Sequence, residues 1–130
     1  MPTDAATRLD LTRRGRRLRR SPAIRSMVRE TRLSPEMFIY PLFVCEGSGV
    51  RREVTSMPGV FNLSVDEAVK EAVAAKAEGV PGVLLFGLPA YKDESGSAAY
   101  DEKAPVQAAV RAIKAADAGI LVITDVCLCE

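Results

Sequence analysis

Three short apolar segments separated by two amphipathic helical patterns most constrain the fold of this 130-residue chain. The segments, predicted as strands, span residues 37–44, 83–86 and 120–124. Continuous apolar runs are typical of strands covered on both faces. Apolar residues at helical spacing predict helices over 64–78 and 105–118. Such alternation predicts right-handed parallel βαβ units, in an open doubly wound sheet or in a (β/α)8 barrel. A dinucleotide-binding sheet is disfavoured, because no glycine-rich phosphate loop joins a strand directly to a helix.

Local signals refine these elements. Ser64 and Glu67 have the spacing of a capping box, in which the serine hydroxyl caps the Glu67 amide and the carboxylate reaches back. Gly79 is expected to end the same helix. Pro41 lacks an amide donor and is expected at an edge or a bulge of its strand. The polar segment 91–103 is long for a loop between a strand and a helix, which indicates a functional or mobile segment.

Charge divides the chain into a basic arm and an acidic body. Residues 1–33 hold ten arginines and three acids, a net charge of +7, whereas residues 34–130 have a net charge of −6. Ser21 and Pro22 predict the start of a short helix within the arm, as N-cap and first helical residue. We therefore divide the chain into an arm, 1–33, and a partial barrel or sheet domain, 34–130.

Composition excludes several classes of function. The chain contains no histidine, so a Ser-His-Asp triad, a Cys-His pair or a histidine-bearing zinc site cannot form within it. Aromatic residues make up 5%, which argues against a base-stacking nucleic-acid surface. No apolar run approaches the roughly 18 residues of a membrane span. Three cysteines argue against a closed disulfide framework, so we expect free thiols in a reducing cytoplasm. A transit peptide is the alternative interpretation of the arginine-rich start.

Asp125, Cys127 and Cys129 alternate at the end of the third predicted strand. If the backbone stays extended there, all three side chains point to one face. Parallel α/β folds place their chemistry at this end of their strands. Two thiolates and a carboxylate suit Zn²⁺, and a third protein ligand with water or substrate would complete a catalytic type of site. Taken alone, the two cysteines are also compatible with packing as small apolar residues.

Nothing covers the third predicted strand, since the sequence stops directly after it. Complete domains rarely end on an open strand, and a barrel needs about 250 residues. We therefore expect the chain to be the N-terminal part of a longer protein, truncated after the third strand.

Several blocks, taken in chain order, resemble the porphobilinogen synthase (delta-aminolevulinic acid dehydratase) family. The end of the chain, ITDVCLCE at 123–130, resembles the zinc-binding segment of that family. The other blocks are RRLRRS (16–21), RET (29–31), LSP (33–35), YPLFV (40–44), MPGV (57–60), LFGLP (85–89), KDE (92–94) and GSAA (96–99). Together they cover almost the whole chain from residue 13 onward.

The resemblance implies a (β/α)8 barrel with an N-terminal arm that wraps around a neighbouring subunit of a homo-oligomer. It implies a hydro-lyase that condenses two 5-aminolevulinate molecules into porphobilinogen in heme biosynthesis. Cys127 and Cys129 match the first two of three zinc-binding cysteines, and Asp125 matches an acidic residue of the substrate pocket. The third cysteine has no counterpart in the chain. The resemblance leaves a regulatory Mg²⁺ site open.

The two lysines that form Schiff bases with the substrates in this family have no counterpart here. None of the five lysines lies in a matching motif, so we assign no catalytic residue, and Lys92 is expected to be solvated. The chain alone is therefore expected to be inactive. The alternatives are a nucleic-acid-binding module that uses the arginine-rich arm, and another barrel enzyme that needs no metal and uses the cysteines for packing.

Overall fold

The computed structural model describes residues 15–116 and 119–126. It divides the chain into two compact units, Met1–Leu33 and Ser34–Glu130. No helix in the described ranges is long and apolar enough to cross a membrane.

The described part of the first unit, residues 15–33, contains one short helix, α1 (Pro22–Met27), which follows a 3-10 turn, Arg17–Arg19. Ser21 is its N-cap, and the Ile24 amide donates to Ser21 Oγ at 3.2 Å. The predicted helix start is therefore confirmed. All described arginines of this unit are exposed: Arg16, Arg17, Arg19, Arg20, Arg25, Arg29 and Arg32.

The second unit is built on one sheet with the strand order β2-β3-β1-β4-β5 among the described residues. The strands are β1 (Ile39–Cys45), β2 (Arg51–Glu53), β3 (Phe61–Leu63), β4 (Gly82–Leu88) and β5 (Leu121–Thr124). β1 is parallel to β3 and β4, and β4 is parallel to β5. β2 pairs antiparallel with β3. The predicted α/β class and the three parallel strands β1, β4 and β5 are confirmed.

Two helices pack together on one face of the sheet, α2 (Val65–Ala77) and α3 (Pro105–Ala116). Their stripes bury small residues, Ala68 and Ala72 from α2 and Ala109 from α3, which lets both helices approach the strands closely. Apolar strand residues complete the core: Leu42, Val44, Leu63, Val83 and Leu85. Alternation places Phe43 and Phe86 on the opposite face, where their rings stack with centroids 5.4 Å apart.

The structure adds strands β2 and β3, in a region that the sequence pattern does not predict as strands. They form a hairpin between β1 and α2. Arg51 of β2 pairs with Glu71 of α2 at 2.5 Å, and its guanidinium lies 4.4 Å from the Phe61 ring centroid. The Tyr40 hydroxyl donates to Glu71 at 3.3 Å. Partial burial and the nearby Glu71 carboxylate raise the pKa of Tyr40. These contacts hold the hairpin against α2.

The predicted capping box at the start of α2 is wrong. Ser64 is the N-cap, but its side chain makes no capping hydrogen bond. Its hydroxyl accepts from the Val50 amide at 2.9 Å and donates to Asp66 Oδ1 at 2.5 Å. Glu67 pairs instead with Lys70 on the next turn. Ser64 is fully buried. The Val50 amide, in the loop before β2, donates to its hydroxyl in place of an amide of the helix.

The predicted end of α2 is confirmed, because Gly79 follows the helix at a positive φ of 90°. The prediction that Pro41 lies at an edge or a bulge is wrong, because β1 is the central strand and its register with β4 is unbroken. Pro41 lies in the amino half of β1, where β4 is its only partner among the described strands. Its missing amide therefore breaks no sheet hydrogen bond toward β3.

The polar segment that follows β4 folds around one carboxylate. Asp93 accepts hydrogen bonds from the backbone amides and hydroxyls of Ser95 and Ser97. These bonds, first of all the one from the Ser97 hydroxyl, lower the pKa of Asp93 from 3.8 to about 2. A 3-10 turn, Ser97–Ala99, follows directly.

We predict that the stability which these hydrogen bonds give the loop falls progressively as the pH is lowered from about 4 to about 2. A carboxylate with a lowered folded-state pKa stabilises the folded loop above its ordinary pKa, and this contribution disappears on protonation. Carboxyl ¹³C NMR titration should give a midpoint near pH 2 for Asp93. Ser97→Ala should raise that midpoint more than Ser95→Ala does, because the Ser97 hydroxyl is the larger cause. Equal midpoints in all three proteins would contradict this assignment.

Candidate functional site

The carboxyl ends of β1, β4 and β5 lie at one edge of the sheet, called here the carboxyl edge. Parallel pairing aligns Cys45 of β1 with Leu88 of β4, and Leu85 of β4 with Thr124 of β5. The segments that leave these strands therefore start close together. Parallel α/β folds build their sites from such segments.

Asp125 lies at this edge, directly after β5. Its amide donates to the Leu85 carbonyl at 3.1 Å, which extends the contact with β4 by one residue. The residue is exposed, and with Thr124 and Val126 it lines a cleft of about 550 Å³. The structure therefore places Asp125 where a substrate could reach its carboxylate.

The two predicted metal ligands, Cys127 and Cys129, lie outside the described residues. Their convergence with Asp125 stays a prediction. Within 15–116 and 119–126, no group of three or more acids, cysteines or histidines is arranged to hold a metal ion. Cys45 is a free, buried thiol at the end of β1, in keeping with a structural role. Lys92 is exposed, as expected for a solvated lysine.

The cleft lies between β4, β5, α3 and the segment that joins β4 to α3. Most of its lining is apolar or small: Gly87, Pro89, Ala98, Ala99, Ala104, Pro105, Val106 and Val110. Polar groups come from Thr124 and Asp125 on one side and from Gln107 and Arg111 on the other. An apolar cleft with a few polar groups is the usual form of a small-molecule site.

Gln107 and Arg111 lie one turn apart on α3 and fasten the loop before this helix. Gln107 Nε2 donates to the Ala99 carbonyl at 2.6 Å, and the Arg111 guanidinium donates to the Glu102 carbonyl. Gln107 Oε1 is buried and has no hydrogen-bond partner in the described chain. Neither residue is predicted as part of a site by the sequence pattern. The only signal was a pair of polar residues four positions apart, beside the apolar stripe of the helix.

A glycine loop, residues 46–50, leaves β1 at the carboxyl edge. Gly47 has a φ of 110°, and a Cβ there would lie 2.9 Å from Val50 Cγ2, so the loop needs glycine at this position. The Gly49 amide donates to both carboxylate oxygens of Asp66, at 2.9 and 3.2 Å. Hydrogen bonds from the Ser64 hydroxyl and the Gly49 amide lower the pKa of Asp66. The carboxylate therefore stays ionised and fixes the loop to the start of α2.

Comparison with known proteins extends this picture. A family model described as delta-aminolevulinic acid dehydratase matches residues 12–130. A delta-aminolevulinic acid dehydratase of Halalkalibacterium halodurans is 52% identical over 122 residues, which cover 93% of this chain and 37% of that protein. One from Methanothermobacter thermautotrophicus is 50% identical over 121 residues, covering 92% and 37% respectively. The chain thus spans little more than a third of these relatives.

A solved structure shares the fold. It is the delta-aminolevulinic acid dehydratase (porphobilinogen synthase) of Toxoplasma gondii, in complex with the reaction product porphobilinogen. It matches with a TM-score of 0.77 and 32% identity over 92% of this chain and 34% of that chain. The predicted relation to the first part of the synthase barrel is confirmed. Since the family model matches nearly the whole sequence, the chain belongs to the delta-aminolevulinic acid dehydratase family.

Proposed function

We propose that this sequence contributes to a porphobilinogen synthase, which condenses two 5-aminolevulinate molecules with the loss of two waters. The observation that supports this most is the family match over residues 12–130, which extends through Asp125, Cys127 and Cys129. The similar solved structure from Toxoplasma gondii is a complex with the reaction product porphobilinogen. Its likeness in fold makes the same chemistry a reasonable proposal for this sequence.

The reaction is proposed to need strands that this chain does not contain. The chain spans about 37% of its Halalkalibacterium halodurans relative, and no lysine here matches a Schiff-base position of the family. A Schiff base acidifies the adjacent carbon, and loss of a proton from that carbon would give the enamine that acts as the nucleophile of the proposed chemistry. The 130 residues would therefore supply one wall of the site.

Asp125 is proposed to hydrogen-bond the amino group of a substrate. Its carboxylate is exposed and lines the cleft at the carboxyl edge. An ionised carboxylate is an acceptor only, so it suits an ammonium or amine partner and not a second carboxylate. It could equally accept from a metal-bound water.

Cys127 and Cys129 are proposed to hold Zn²⁺ together with a third ligand. The donor set fits this ion, because thiolates bind it strongly and binding keeps them deprotonated. When bound, zinc would act as a Lewis acid that polarises a carbonyl or holds an amine. Reduced thiols agree with the proposed cytoplasmic location.

A chimera tests the proposed reaction. In it, residues 1–130 replace the matching part of the Halalkalibacterium halodurans relative, whose later strands complete the barrel. We expect the chimera to form porphobilinogen from 5-aminolevulinate and the 130-residue chain alone to form none. A chimera that folds, binds zinc and stays inactive would contradict the proposed function.

In the same chimera, Asp125→Ala should lower kcat/KM by about 10²-fold or more, as removal of a positioned acid commonly does. Its thermal unfolding should change little, because Asp125 is exposed. Glu94→Ala, another exposed acid at the carboxyl edge, serves as the matched control and should keep full activity. Equal activity in both variants would remove Asp125 from the site.

The basic arm is proposed to bind the acidic body of a second copy of the chain. Its seven described arginines are all exposed, and none of them forms an ion pair within the described residues. The net charges of +7 for residues 1–33 and −6 for residues 34–130 are complementary. Opposite charge steers association and selects the partner.

Deleting residues 1–20 from the chimera should reduce the size of the oligomer, measured by light scattering at low ionic strength. Raising the salt concentration should weaken assembly of the intact chimera, since exposed charges are screened. Retention on DNA or RNA should be weak both with and without the arm. Strong, salt-sensitive retention of the intact chimera that is lost when residues 1–20 are deleted would instead support the nucleic-acid alternative.

A further inference from the structure

A cavity within the first unit is lined mainly by arginines, and it is called here the arginine cavity. Its volume is about 890 Å³, within the range of small-molecule sites. Residues of the 3-10 turn, of α1 and of the segment after α1 line it. Four arginines and one acid make up its charged lining: Arg17, Arg19, Arg25, Arg29 and Glu30. These residues have a net charge of +3, so the cavity favours anions.

No ion pair neutralises the four arginines within residues 15–33. Both ion pairs of the described chain lie in the second unit, where Arg51 pairs with Glu71 and Lys70 with Glu67. The four arginines are exposed, so only water and dissolved salt screen their charges. Positive groups that line the same cavity repel one another, and an anion of several charges among them would replace this repulsion by attraction.

Local hydrogen bonds place one of these arginines. The Arg25 guanidinium donates to the Arg19 carbonyl at 3.1 Å, which brings the side chain from α1 beside the 3-10 turn. The Ile24 amide donates to Ser21 Oγ at 3.2 Å and fixes the start of the same helix. The bond to the Arg19 carbonyl uses one of the five N–H donors of Arg25. The remaining donors can bind the oxygens of a ligand.

The chemistry of the lining favours phosphate over other anions. A guanidinium group donates two parallel hydrogen bonds to a phosphate or a carboxylate. A phosphate group carries about −1.5 to −2 charges at pH 7, whereas a carboxylate carries one, so linked phosphates match several arginines at once. Among the described residues that line the cavity none is aromatic, so a nucleobase would find no ring on which to stack.

We propose that the arginine cavity binds a polyvalent phosphate anion, of which pyrophosphate is the simplest example. Arg25, placed by its bond to the Arg19 carbonyl, donates to the phosphate oxygens, and the other three arginines complete the neutralisation. Binding lowers the positive charge of the arm. Its effect on assembly rests on the proposed function: where the arm binds the acidic body of a second copy, the anion competes with that body for the same arginines.

Isothermal titration of the 130-residue chain with pyrophosphate, at a physiological ionic strength of about 0.15 M, tests the site. We expect saturable binding of one pyrophosphate per chain. Arg29→Ala should weaken binding about tenfold or more, the usual effect of losing a hydrogen bond between charged groups. The Arg29 side chain is exposed, so its loss should leave the fold intact. Arg52→Ala, the matched control, removes an exposed arginine of β2 and should leave the affinity unchanged.

Two further variants separate a built site from general charge attraction. Arg25→Lys keeps the charge and removes the planar fork, so the affinity for pyrophosphate should fall several-fold. Glu30→Gln removes the one acid of the charged lining and should raise the affinity several-fold. Glu78→Gln, which removes an exposed acid at the end of α2, is the matched control and should leave the affinity unchanged.

The effect on assembly is measured on the chimera by light scattering. Pyrophosphate at a concentration that saturates the cavity should reduce the size of the oligomer, and the same concentration should have little effect on the chimera with Arg29→Ala. An oligomer that keeps its size while pyrophosphate binds would overturn the competition.

The binding proposal is overturned if no saturable binding occurs, or if the Arg29→Ala and Arg52→Ala chains bind pyrophosphate equally well. A single-stranded RNA that binds more tightly than pyrophosphate, and that Arg29→Ala weakens to the same degree, would also overturn it in favour of nucleic acid. The titrations contain no 5-aminolevulinate. An inactive chimera would therefore contradict the proposed reaction and leave the anion site intact, whereas a chain that binds no pyrophosphate would leave the proposed reaction intact.

Discussion

Parallel pairing of β1, β4 and β5 is the constraint on which the rest of the structure depends. It brings three strand ends to one edge, although Cys45, Leu88 and Thr124 are far apart in the sequence. The buried side chains of these strands pack under α2 and α3, so a shift by one residue would turn the apolar set away from the helices. Burial thus fixes the register, and the register fixes which residues meet at the carboxyl edge.

The sequence predicted the parts of the fold that depend on hydrophobic periodicity. The strands β1, β4 and β5 are nearly continuous apolar runs, and α2 and α3 repeat apolar residues at helical spacing. The hairpin was not predicted because each of its strands has only three residues and all three residues of β2 are charged, so neither strand has an apolar pattern. The prediction of the capping box was wrong for a related reason: the donor to the Ser64 hydroxyl is the Val50 amide, fourteen positions away in the sequence. Local spacing cannot show a competing donor that only the folded chain supplies.

The candidate site, like the fold, could be predicted only in part from the sequence. Asp125 follows an apolar strand, so its place at the carboxyl edge could be predicted from the chain order. The polar groups that shape the surrounding loops could not be predicted, because Glu46, Asp66 and Gln107 bind backbone groups of other segments. The two cysteines stay a prediction from their pattern and from the family resemblance, because they lie outside the described residues. The site therefore combines residues that sequence motifs reveal with residues that only tertiary contacts reveal.

We propose that the segment after β5 contributes to a zinc site beside Asp125, at the edge where the strands end. Zinc content of the purified chimera tests it most directly. We expect about one zinc per chain, as for a single catalytic site, with loss of the metal in Cys127→Ser and in Cys129→Ser. Cys45→Ala should keep the metal, because that thiol is buried at the end of another strand. Full zinc content in both serine variants, or an active chimera without zinc, would contradict the account.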